Sequence, residues 1–294
     1  MKLLAPTQPA ELPTEALLAR LRGRRGLIDL RADQITETPA TDVVNWVYKR
    51  LNSRLRQQLE AFLDQLAMRN LILALRYTFA GETPPAALWN NALLAKPLRR
   101  LVATTGESET TIARLEAALS SNYPFAVGLS AVYQNQGPGG VEQRLADGIL
   151  HHGLVRAGNM TLKATLRYLI DVRNCLMINK LWRWQTSQAP RLTTGGLLAT
   201  TSLQQIWASH DSERLARLTS RLAGQALLAT EAIAMEQSLL QGLTRFLRRA
   251  GRDPLGLAVV IEYLWLAQLA SHNQLLRQAL ALDREELLEE VLLS

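Results

Sequence analysis

The chain has 294 residues, 48% hydrophobic and 20% charged, which provides for a large buried core and excludes a disordered or fibrous protein. The formal charge is +7 with a pI near 9.9, which solvated helix faces, an acidic protein partner or nucleic acid would each explain. The single cysteine, Cys175, excludes an internal disulfide framework and reads as a small buried hydrophobe in an apolar helical stretch.

Leu, Ala, Arg, Gln and Glu dominate, and these side chains lose little freedom in a helix, so the chain is expected to be all-helical. The start, Met1 to Leu4 followed by Pro6, Pro9 and Pro13, is too short and too broken for a signal peptide. Breaks are expected at Gly81 to Pro85, Gly106, Gly137 to Gly140, Ala189 to Gly196 and Gly251 to Pro254. Between them the apolar residues follow helical spacing. In Glu109 to Ser121, Ile112, Leu115 and Leu119 share a face. The stretch Ser212 to Ala250 continues the pattern through Leu215, Leu218, Leu222, Leu239, Leu243 and Leu247. It is predicted to end at Gly251 in a left-handed cap, with Arg248 and Arg249 facing the negative end of the helix dipole.

Asp253 and Pro254 then form a predicted helix start, the aspartate as cap and the proline at the first helical position. The helix beyond them is apolar almost all round, through Leu257, Val260, Ile261, Leu264, Leu266 and Leu269. Such a helix belongs at the centre of a bundle. Glu262 and Gln268 interrupt the run from Leu255 to Ser271, which falls short of the roughly 20 apolar residues a bilayer span needs. Any membrane association is therefore expected through a partner. Asp283 and Glu286 form a capping pair for a short last helix to Val291.

No constellation for catalysis or metal binding emerges, and no cofactor is expected. His151 and His152 are neighbours and point about 100° apart on a helix, so they cannot chelate one ion together. Ser209-His210-Asp211 contains the letters of a triad, but adjacent residues cannot form its hydrogen-bond chain, and Asp211 is better read as a helix cap. Gly137-Pro138-Gly139-Gly140 lacks the ending of a phosphate loop and is expected to join two helices. Trp182, Trp184 and Trp265 are expected to pack in the core or at an interface, with acceptors for their indole N–H groups. The basic clusters, Arg20 to Arg25 and Arg245 to Arg252, contain a single aromatic, Phe246, and lack the interleaved aromatics of a stacking platform, which argues against a nucleic-acid platform.

An internal repeat is visible. Phe62 to Arg76 and Tyr168 to Lys180 each carry an Arg–Asn pair, Arg69-Asn70 and Arg173-Asn174, with a basic residue seven positions after the arginine, Arg76 and Lys180. Three helical units are expected, 14–104, 105–210 and 211–294. Asn70 and Asn174 are poor mid-helix residues, so each is expected either to contact a partner or to bridge helices and fix their register. The four basic residues either line a cavity for an acidic partner or face solvent and neighbouring acids.

Arg252-Asp253-Pro254-Leu255-Gly256, running through Ile261-Glu262-Tyr263 to Leu282 and an acidic end, resembles the closing segment of the C/d family, the central-stalk proteins of V-type ATPases. The Arg–Asn helices resemble that family's repeated segments, and Ala19-Arg20-Leu21-Arg22-Gly23 resembles its opening helix. The family usually places an acid two or three positions before the repeated asparagine. Asp171 fills that place in the second segment, while Ala67 and Met68 occupy it in the first. The resemblance implies a funnel of three similar helical bundles that performs no chemistry. It implies a peripheral place on the cytoplasmic face, linking the rotor shaft to the membrane proteolipid ring of a proton or sodium pump. Arg69, Asn70, Arg76, Arg173, Asn174 and Lys180 are the expected partner-contact residues. A basic helical scaffold that binds nucleic acid or peptide is the alternative, and no small-molecule substrate is expected.

Overall fold

A computed structural model describes residues 1–24, 40–89, 93–103, 107–225, 232–253 and 255–280. Among them the structure is all-helical, as the composition predicts. The helices are α1 (Thr14–Arg24), α2 (Ala40–Arg50), α3 (Ser53–Phe79), α4 (Lys96–Ala103), α5 (Ser108–Leu119), α6 (Leu129–Arg156), α7 (Met160–Arg183), α8 (Thr200–Ser209), α9 (Ser212–Ala223), α10 (Ala232–Ala250) and α11 (Ala258–Leu280). Extended pairing is limited to one antiparallel bridge, Leu4 with Leu94, among the described residues. The expected break at Gly106 and the expected last helix, from Asp283 with Glu286 to Val291, lie outside the described residues.

The chain forms two compact units, Met1–Thr14 with Thr41–Gly158, and Glu15–Ala40 with Asn159–Ser294. The expected boundaries after 104 and 210 fall within these units, and the two Arg–Asn pairs lie one in each.

In the first unit α3 packs on α6 and α4, and α5 packs on α6. Asn52 starts α3 by accepting the Leu55 N–H at 3.0 Å, while its amide donates to the Leu12 carbonyl and Thr14 Oγ1. Leu55, Leu59, Phe62, Leu63, Leu66, Met68, Leu71 and Leu75 are all buried along it. Full burial of each such side chain contributes about 1.5–3 kcal/mol. Gly81, at φ 74°, closes α3: its N–H reaches Thr78 and the Glu82 N–H reaches Tyr77. The predicted face of α5 is buried, with Ile112, Leu115 and Leu119 inaccessible.

The expected join of two helices at Gly137 to Gly140 is present but narrows to one residue. The segment lies inside α6, where Gly137 alone leaves helical geometry (φ 66°, ψ −165°). Pro138 follows at the first position of the second helical segment, where its missing N–H costs nothing, so the two segments meet at a kink with no intervening loop.

In the second unit α10 packs against α7, α9 and α11, and α8 contacts α7 and α9. The helix predicted to be central is so: Val259, Val260, Ile261, Tyr263, Leu264, Trp265 and Leu266 of α11 are all buried. The Trp265 indole N–H donates to Thr244 Oγ1 at 2.9 Å, the acceptor that the sequence required. Asp211 caps α9 through the Arg214 N–H, as expected.

The predicted pattern from Ser212 to Ala250 is divided at Gly224, which stands at φ 66° and closes α9. Gly251 does not adopt the expected left-handed conformation. Its small size matters instead, because a Cβ there would stand 2.5 Å from Glu262 Oε2. The predicted helix start is corrected as well. Asp253 accepts the Leu255 N–H at 3.1 Å and so stabilises a turn, while α11 begins only at Ala258. Pro254 lies outside the described residues.

Candidate partner-contact site

The residues singled out by the repeat sit on α3 in one unit and α7 in the other. Arg69 and Asn70 are half-buried near the middle of α3, and Arg69 engages a neighbour. Arg76, two turns on, is exposed; its Nε and Nη2 donate to Glu142 Oε2 on α6 at 2.9 and 2.7 Å. An exposed pair of this kind contributes about 0–1 kcal/mol, so it orients Arg76 more than it stabilises the unit.

α7 begins as α3 does, with Asn159 accepting the Leu162 N–H at 3.1 Å. Arg173 is half-buried and engaged. Asn174 is turned inward, 1% exposed, where its amide donates to the Thr193 carbonyl at 2.9 Å and its oxygen accepts the Thr193 N–H at 2.8 Å. Asn174 therefore fixes the loop after α7, where a bond between helices was one expectation. One turn earlier, Asp171 accepts the N–H groups of Leu197 and Leu198 at 2.7 and 3.1 Å. Gly196 permits this approach, since a Cβ there would fall 2.0 Å from Asp171 Oδ1. Burial raises the Asp171 carboxyl to about 6, against the lowering effect of its two backbone donors. Burial also pushes the Cys175 thiol up to about 12, which makes it the inert core group the sequence predicted.

The repeat by Arg–Asn pairs overlooked a second buried acid. Asp64 on α3 is 3% exposed, hydrogen-bonded by Tyr123, whose hydroxyl in turn accepts the Leu3 N–H at 3.1 Å. Burial first, then the neighbouring Glu60, raises its carboxyl to about 7. The cap asparagines and the buried aspartates share one offset, 107 residues (52 to 159, 64 to 171), whereas the Arg–Asn pairs are offset by 104. The two registers differ by three residues, nearly one helical turn, so both look helical in sequence. The spacing of twelve residues from capping Asn to buried Asp, present in both segments, was the available signal.

Lys180 is exposed, with Nζ 4.3 Å from the centre of the Trp184 ring. Trp184 is 66% exposed, which removes it from the core and leaves the interface half of its expectation. Trp182 is partly covered, yet its buried indole N–H has no acceptor among the described residues, against expectation.

These features describe a helical protein whose buried polar groups hold caps and loops while its cations face outward. The family model for the ATP synthase (C/AC39) subunit matches residues 31–273, and the chain belongs to this family of V/A-type ATP synthase subunits. Comparison with individual curated proteins gives no match. Among the described residues no helix is long and apolar enough to cross a membrane.

Proposed function

We propose that this chain is the non-catalytic central-stalk component that couples the rotor shaft of a V-type ATPase to its membrane proteolipid ring, in proton or sodium transport. Membership of the family over residues 31–273 carries this proposal. The helical construction supports it, because a torque-bearing element needs stiff, close-packed segments, and α3 and α7 each run six turns or more with buried apolar faces. The funnel of three bundles and a peripheral place on the cytoplasmic face belong to the same proposal.

Arg69, Asn70, Arg76 and Arg173 are the proposed contacts with the acidic tip of the shaft. Asn174 is left out because both ends of its amide are engaged by Thr193. Lys180 is assigned to a different surface, described below.

Co-purification from native membranes through a tag on this chain tests the proposal. Recovery of the proteolipid ring and catalytic subunits, resistant to removal of lipid, is the expected result. Recovery of nucleic acid or an unrelated protein without rotary subunits would overturn it.

A further inference from the structure

One end of the second unit gathers features that the coupling role leaves unexplained. Between Asp171 and Asp211 the sequence contains no Asp or Glu, while Arg173, Lys180, Arg183 and Arg191 are cationic. The same stretch holds three of the six tryptophans, Trp182, Trp184 and Trp207. At the ends of α7 and α8 these come together. The ring of His210 lies 5.9 Å from Trp182 and 6.3 Å from Trp207, and Lys180 covers the exposed Trp184.

The backbone at this place is also unusual. Gln185 and His210, at φ 50° and 52°, are the non-glycine residues with left-handed backbone among those described. Each closes its helix with the double hydrogen bond that Gly81 and Gly224 make elsewhere: Gln185 and Thr186 reach Trp182 and Leu181, His210 and Asp211 reach Trp207 and Ile206. A side chain in this conformation is disfavoured, and such residues concentrate at sites where surroundings or function hold them. Trp207, like Trp182, has a buried indole N–H with no acceptor among the described residues.

We propose that this tryptophan-and-lysine end of α7 and α8 is a docking surface for the anionic headgroups of a phospholipid membrane. An amphipathic ring with a cation held over it and the exposed Arg183 beside it has the chemistry that settles at headgroup depth, while Asp211, the nearest acid in the chain, is engaged in capping α9. The Trp184 ring contributes apolar area there, the cations meet lipid phosphate, and the exposed Trp184 indole N–H donates to lipid oxygens. Trp184 projects from the helix end, 66% exposed, which suits a soft and continuous surface.

The test uses the full-length chain and phosphatidylcholine vesicles with or without phosphatidylserine, separated by flotation. The wild type should float with the phosphatidylserine vesicles and lose binding as salt rises. Lys180→Glu with Arg183→Glu should weaken it about tenfold or more. Trp184→Ala should weaken it severalfold, and Lys180→Arg should retain it, all with unchanged thermal melts. Equal binding to neutral vesicles, no binding to either, or full binding by the charge-reversed variant would overturn the proposal. So would capture of an acidic protein through these residues without vesicle binding. The vesicles contain no rotary subunits, so failure here leaves the co-purification result standing, and the reverse also holds.

Discussion

α3 and α7 start alike and end differently. Both open on an asparagine that caps the third backbone N–H, and both bury an aspartate twelve residues later. In α3 that aspartate meets Tyr123 and, through it, the N-terminal segment at Leu3; in α7 it holds the loop that follows its own helix. α3 closes on a glycine that adopts the left-handed conformation without steric penalty, whereas α7 closes on Gln185 beside an exposed tryptophan. Similar local chemistry in two helices therefore specifies where each begins, while tertiary neighbours decide what its buried acid holds.

The largest test of this contrast is Gly196→Ala. A Cβ placed 2.0 Å from Asp171 Oδ1 must expel the carboxylate or move the loop, and a loss of about 3 kcal/mol or more is expected in chemical denaturation. A loss under about 0.5 kcal/mol would show that the loop does not depend on Asp171.

The second test sets the two asparagines of the repeat against each other. Asn174→Ala removes the two hydrogen bonds that join its amide to the backbone of buried Thr193 and should cost about 2 kcal/mol. Asn70→Ala, at a half-buried site, should stay within about 0.5 kcal/mol and, if the shaft contact is right, weaken complex assembly instead. Equal losses in thermal or denaturant unfolding would erase the distinction between them.

The smallest effect is expected from Asp64→Asn, and its sign depends on pH. The folded carboxyl titrates near 7, above the ordinary 3.8, so folding takes up a proton between those values. The protonated group's contribution is fully present below the unfolded pKa and is lost as pH rises through about 7. The neutral variant should therefore be neutral or slightly less stable at low pH and more stable by on the order of 1 kcal/mol in mildly alkaline solution. A difference independent of pH would mean that Asp64 does not carry this linkage.

Much of the architecture was legible because it depends on local chemistry. Helix-forming composition, the faces of α5 and α11, the cap at Asp211 and the inert Cys175 each follow from a residue and its near neighbours. The errors arise where one residue type serves two purposes. Gly251 does stand just past the end of α10, as predicted, but it is not left-handed, and its small size leaves room for Glu262. Asp253 followed by proline resembles a helix cap, but its carboxylate serves a turn, and α11 starts five residues later. Gly137 to Gly140 has a loop composition, yet the join between the two helical segments occupies Gly137 alone.

By itself the sequence determined an all-helical chain with a net positive charge, the apolar faces of several helices, and a resemblance that the family match over residues 31–273 supports. Those outcomes follow from periodicity, propensity and charge, which act within a few residues. Only the tertiary structure decided that Asp64, Asp171 and Glu262 are buried, that Asn174 clasps Thr193, and that Trp184 stands outward while Trp265 finds Thr244. Burial and hydrogen-bond partners arise between residues far apart in the chain, and no local pattern encodes which of them will meet.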